Sequence, residues 1–98
     1  MENGDIVTVI AFGNEYVGKL KSVSDTSIVL EKPVMLMLTE SGMGFTGALA
    51  MSGEENPKEV TLHQYNLVTK TNNPVAVAYR KHTSGLIDPK TNSGGLIL

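Results

Sequence analysis

The sequence predicts an all-β fold that is small, antiparallel and strongly bent, and three observations carry that reading. First, the β-prone run Ile6 to Phe12 is followed by Gly13-Asn14 and then by a second β-prone run; glycine beside asparagine is turn chemistry, because both residues tolerate positive φ. Second, the stretch from Tyr16 to Val23 alternates with a period of two. Tyr16, Gly18, Leu20 and Ser22 fall on one face, with Val17, Lys19, Lys21 and Val23 on the other. Third, Gly18 interrupts that strand, and a glycine there marks a sharp bend or a close approach of backbones, as at the corner of a small barrel.

Taken in order, Met1 to Gly4 is too short for a helix of its own. Ile6 to Phe12 reads as a strand with both faces largely apolar, so both faces are expected to be covered. Ser24-Asp25-Thr26 makes a second turn, after which Ile28 and Leu30 resume one apolar face. Ser27 to Glu40 is a long β-prone run broken by Pro33, which cannot donate to a ladder, so the strand is expected to change direction or partner there. Glu40 to Gly44 reads as a turn and Phe45 to Met51 as a returning strand paired with Val34 to Leu38. Ser52 to Lys58 is a polar loop, and Val60 to Lys70 is extended again. Pro74 to Arg80 is a further strand candidate with Val75, Val77 and Tyr79 on one face. From His82 the chain is rich in Gly, Ser, Thr and Asn and is expected to pack little by itself. Its apolar end, Leu96-Ile97-Leu98, fits docking on a neighbouring subunit or a frayed end equally well. The expected organisation is a β-domain over residues 1–81 and a tail over 82–98, with no internal repeat and no amphipathic helix.

Composition bounds the function. Ninety-eight residues suit one domain with a modest core. Cysteine is absent, which removes disulfides and thiolate metal sites and is compatible with a reducing compartment. No run approaches a membrane span of roughly 18 apolar residues, and no signal-peptide pattern opens the chain, so a cytoplasmic protein without membrane contact is expected. The net charge of −2 disfavours a dedicated nucleic-acid binder, but it is unevenly spread. Residues 1–69 carry four lysines against nine acids, whereas Lys70, Arg80, Lys81 and Lys90 face only Asp88 in the remainder. Glu54, Glu55 and Glu59 read as a solvated acidic segment.

Motifs for catalysis are weak. Gly42-Met-Gly44-Phe-Thr-Gly47 matches GxGxxG after an apolar run, but Gly53 and Pro57 deny it the following helix, and too little chain remains for a doubly wound sheet. A Gly-rich hairpin turn is the better reading. His63 and His82 lack metal-ligand spacing, and nothing brings Asp25 and Glu31 together as paired carboxylates. The hydroxyls read as turn and exposed-strand residues. Neither an enzyme, a cofactor nor a metal site is expected. Lys19 and Lys21 read as ordinary solvated decoration of a strand.

Gly13, Gly18, Leu20, Val23, Ile28 and Leu30 carry a resemblance to a family. Their spacing is similar, without a gap, to the first motif of Sm and Sm-like proteins, Hfq included, over about a third of the chain. The resemblance implies a small, strongly bent five-stranded antiparallel barrel of the Sm (SH3-like) type. The hairpin between its third and fourth strands is enlarged by residues 33–58, and an extra C-terminal strand or arm follows. Such proteins usually begin with a helix, for which Met1 to Gly4 is too short. Leu62, Asn66 and Leu67 fit the second motif, while His63 and Gln64 stand where the family has arginine and glycine. The composition and enlarged hairpin also look similar to Sm-like proteins carried by phages.

The resemblance further implies a ring of identical subunits, five to seven in number, whose pore rim holds single-stranded RNA by base stacking and base-edge hydrogen bonds. Carried over by position, Ser24 stands where aspartate is usual, Thr26 at the stacking position, Ile28 for asparagine and His63 for arginine; Asp25 is one place late. His63 and Asn66 are the positions expected to keep RNA contacts, and both also fit plain turn residues. Arg80 and Lys81, with Lys70 and His82, would form a basic band repeated by symmetry. The expected function is a non-enzymatic RNA-binding ring with weak or altered base specificity, of RNA-processing or chaperone type. The alternative is a structural or protein-interaction ring that kept the fold and lost the pocket.

Overall fold

Phe12 and Gly13 take positive φ, 55° and 77°, and turn β1 (Ile6–Ala11) directly into β2 (Asn14–Val23). Two successive positive-φ residues match the right-handed twist of the flanking strands, so the turn sits one residue earlier than Gly13-Asn14 and Asn14 opens β2. The structure is a computed structural model that describes residues 1–87. After β2 come β3 (Ser27–Thr39), β4 (Gly42–Thr46), β5 (Glu59–His63), β6 (Leu67–Lys70) and a helix, α1 (Asn73–Ile87). Among the described residues the architecture is therefore antiparallel β-sheet with one short helix.

Pro33 acts as its chemistry requires. The edge of β3 that faces away from β2 pairs with β5 over Ser27 to Glu31 and with β4 over Met35 to Thr39. The proline falls in the gap between these partners, where no N–H is needed. Lys32 before it has φ 50° and inserts an extra residue against β2, so that Lys19 faces Glu31 but Val17 faces Val34. A second irregularity, between Leu20 and Ser22, places the extra residue on β2. Gly18 lies beside the first bulge. A Cβ there would come within 3.1 Å of both the Glu31 carbonyl oxygen and the Leu30 Cβ. The close approach expected at this glycine is present.

The sheet curls. Strand order β5-β3-β2-β1-β6 puts β5 and β6 at opposite ends, yet only Gln64, Tyr65 and Asn66 connect them. Four flat strand spacings would cover about 19 Å, whereas the connection reaches at most about 14 Å, so the two ends must approach one another. The concave side closes over Val7, Val9, Ala11, Tyr16, Leu20, Ile28, Leu30 and Leu62. A second cluster on the other face contains Val17 and Val34, with Ile6, Leu36 and Phe45 at its margin, and α1 covers it through Tyr79 and Val75. Both faces of β2 are thus covered.

Two expectations are corrected. Pro74 to Arg80 is helical, part of an amphipathic α1. The Asn72 side chain accepts from the Val75 N–H at 3.0 Å as an N-cap, and Pro74 sits in the first turn, where no intrahelical donor is lost. Burial then follows helical spacing at Val75, Ala76, Tyr79 and Thr83, while Val77 is 52% exposed rather than sharing a strand face. Second, the return strand is Gly42–Thr46, not Phe45 to Met51. It pairs with Met35 to Thr39 because Glu40 and Ser41 alone make the turn. GxGxxG therefore lies largely on a hairpin strand. Among the described residues there are six strands, and β4 lies within the enlarged hairpin that precedes β5. The division after Lys81 falls inside α1; the tail expectation for 88–98, including Leu96-Ile97-Leu98, lies outside the described residues.

Candidate nucleic-acid interface

Ser24 organises its own turn. Its backbone N–H donates to the Ser27 carbonyl at 2.8 Å, and its hydroxyl accepts from the Thr26 and Ser27 N–H groups at 3.4 and 3.2 Å. This is the local bonding that makes serine a turn residue. Asp25 and Thr26 are left exposed at the tip.

The β5–β6 turn docks on that tip. Gln64, with φ 63°, donates its N–H to the Thr26 carbonyl at 2.6 Å, and the Tyr65 hydroxyl donates to the Ser24 carbonyl at 2.7 Å. Asn66 donates its N–H to the Ile10 carbonyl at 2.8 Å, which ties the turn to the end of β1. His63 closes β5 opposite Ser27. Ser24, Asp25, Thr26, His63 and Asn66, which lie in two distant stretches of sequence, are brought together on adjoining turns, and all five are exposed.

Arg80 and Lys81 are not brought there. They are exposed on α1, whose Tyr79 is anchored at Lys32. From Ser27 to Lys32 the strand advances about 16 Å. The helix sits on the opposite sheet face from the concave core, so any basic surface it offers is separate from the turn cluster.

Lys21 is engaged elsewhere as well. Its ammonium lies 2.7 Å from the Glu59 carboxylate, and that hydrogen bond, with the charge of Glu59, raises the lysine above its usual range. Lys19 lies opposite Glu31 in the β2–β3 register. Both lysines decorate the sheet beside acids and form no free cationic track.

No protein-family model matches the chain, and no curated protein matches it.

Sequence reasoning passed over two aromatic residues. Tyr65 holds the two turns together through Ser24; its signal was only an aromatic among polar turn residues. Phe12 is 62% exposed with φ 55°, an uncommon backbone state for a bulky side chain, and lies two residues beyond the Ile10 carbonyl that Asn66 engages. A phenylalanine directly before Gly13 in a predicted turn was its sequence signal. Phe12 stands on the β1–β2 turn, at the other end of β2 from Ser24, while His63 and Asn66 bring an imidazole and a carboxamide to the joined turns; aromatic faces and such polar groups are the kinds that meet unpaired bases. Among the described residues no three of His, Cys, Asp or Glu gather as metal ligands. No helix of the described residues is long and apolar enough to cross a membrane.

Proposed function

We propose that the chain is an Sm-like subunit that assembles with copies of itself and binds single-stranded RNA, without catalysis, at the joined turns. The observation that carries this reading is the 2.6 Å bond from Gln64 N–H to the Thr26 carbonyl. It sets the two segments resembling the Sm motifs side by side, His63 and Asn66 against Ser24, Asp25 and Thr26. The curled sheet, with β5 and β6 at its ends, agrees with the Sm barrel that the resemblance implies.

Assembly is supported by the edges. Among the described residues, β5 pairs only with β3 and β6 only with β1, so each keeps an unpaired outer edge. Open edges are protected or used. Pairing β5 of one subunit with β6 of the next closes a ring of roughly five to seven copies and repeats the turn cluster around it. With histidine in place of arginine and a net charge of −2, base specificity is weak or altered.

Native mass spectrometry on protein purified without nuclease tests both parts. A ring mass with retained oligonucleotide supports the reading; a monomer removes it. Replacement of His63 by Ala is expected to weaken binding of a single-stranded uridine oligonucleotide, and binding in the unmodified protein to fall with salt. A second reading, a protein-interaction ring without RNA, is favoured by the apolar tip of the β3–β4 hairpin, where Leu38 is 85% exposed and Met43 is exposed opposite it. A bare ring would support that reading.

A further inference from the structure

A pocket of about 300 Å³ lies between the β3 bulge, the loop before β5 and the last turns of α1. Two lysines reach it from different parts of the chain. Lys32 belongs to the bulge and Lys58 to the loop, and the Lys32 N–H donates to the Lys58 carbonyl at 2.8 Å, which pins the two residues side by side. Both bring positive charge to the pocket wall. No Asp or Glu is among its lining residues, and neither lysine is in an ion pair among the described residues. Of the neighbouring acids, Glu59 is held by Lys21 at 2.7 Å, Glu31 lies opposite Glu59 in the β3–β5 register, and Glu54 and Glu55 are exposed on the same loop as Lys58.

The remaining walls are of a different kind. Pro33, Val34 and Pro57 present apolar surface, the Asn56 carboxamide packs against Gly47, and the Thr83 hydroxyl is already spent on the Tyr79 carbonyl at 2.9 Å. Lys32 and Asn56 both stand at positive φ, 50° and 51°, and such backbone outliers gather at ligand-binding sites.

We infer that this pocket is a nucleotide site. Lys32 and Lys58 hold the phosphate, and the prolines and Val34 pack against the flat base. The volume lies at the small end of the range for small-molecule sites, which suits one nucleotide. The ligand is a free mononucleotide or one residue of a single strand, since the two share this chemistry. The site is separate from the turn cluster and does not rest on the RNA reading given to it.

The test is isothermal titration of the 98-residue chain with adenosine 5′-monophosphate. Saturable binding is expected, weakened at least tenfold in a Lys32→Asn, Lys58→Gln variant. Asparagine tolerates the positive φ at position 32, so the bulge is retained, and an unchanged melting temperature would exclude unfolding as the cause. Inorganic phosphate alone is expected to bind more weakly. Absence of binding at millimolar nucleotide, equal affinity in the variant, or phosphate binding as tightly as the nucleotide each overturns the proposal. Competition by a short oligoadenylate assigns the site to a strand, and a lack of competition assigns it to the free nucleotide. His63→Ala leaves this binding intact, so failure at the turns and failure at the pocket are distinguishable.

Discussion

The hydroxyl of Tyr79 on α1 donates to the Lys32 carbonyl at 2.6 Å and lies 3.4 Å from the carbonyl of Glu31. These are the carbonyls at the point where β3 leaves β5 and has not yet met β4. The helix thus supplies hydrogen bonding at a bulge that the sheet alone leaves incomplete, and in doing so covers Val17 and Val34.

Tyr79→Phe removes that donor and keeps the ring. The part-buried Lys32 carbonyl loses this donor, so unfolding in urea is expected to show a loss of about 1 kcal/mol. Burial, reinforced by the charge of Glu31, pushes the Tyr79 hydroxyl up to about 12. Its contribution is fully present below the unfolded value near 10 and is lost as pH rises through the folded one. Thermal melts should therefore fall between about pH 10 and 12, and the Tyr79→Phe protein should lose that part of the decline.

Gly18→Ala places a methyl group 3.1 Å from the Glu31 carbonyl oxygen and 3.3 Å from the Pro33 Cα, both backbone atoms. Backbone yields less readily than the end of a side chain. The expected cost is about 1–3 kcal/mol by overpacking, read as a lower urea midpoint. A midpoint equal to or above that of the unmodified protein would show that the bend relaxes.

His82 packs against Phe45 with ring centroids 5.4 Å apart, and its Nε2 is buried without a partner. Burial lowers its proton affinity. The unfolded chain then binds a proton that the folded one resists, so stability is present above the unfolded value near 6.5 and falls as pH drops below it. His82→Leu removes the orphaned nitrogen. It is expected to raise stability by about 1 kcal/mol and to flatten the melting temperature between pH 7 and 5, as followed by circular dichroism.

Tyr65→Phe separates positioning from contact at the turns. The 2.7 Å bond to the Ser24 carbonyl is lost, while His63 and Asn66 remain. Uridine-oligonucleotide affinity is expected to drop several-fold with little change in its salt slope, because no cation is removed. An unchanged affinity would place the binding surface elsewhere.

Much of the sheet was legible in the chain because its signals are local. The two-residue alternation of Tyr16 to Val23, the turn chemistry beside Gly13 and at Ser24, the break at Pro33 and the bend at Gly18 depend on neighbours in sequence. The candidate turn residues were legible singly, Ser24, Asp25 and Thr26 through the resemblance to a first Sm motif and His63 and Asn66 through that to a second. Tyr65 and Phe12 were not, since an aromatic gains a role at a turn only when another turn meets it.

What the sequence determined by itself is where the backbone turns, where a strand cannot donate and which strand faces are apolar, all set by φ preferences and side-chain alternation within a few residues. Tertiary structure decided the rest. Val75, Val77 and Tyr79 fit a strand as well as a helix by spacing; the Asn72 cap and the apolar surface of Val17 and Val34 select the helix, because only helical spacing brings Val75, Ala76 and Tyr79 onto that surface together. Likewise, His63 meets Ser27, and Lys58 meets Lys32, only through β5 pairing on β3. Such contacts join residues that the chain holds far apart, and their free energy is realised only when the whole sheet has curled.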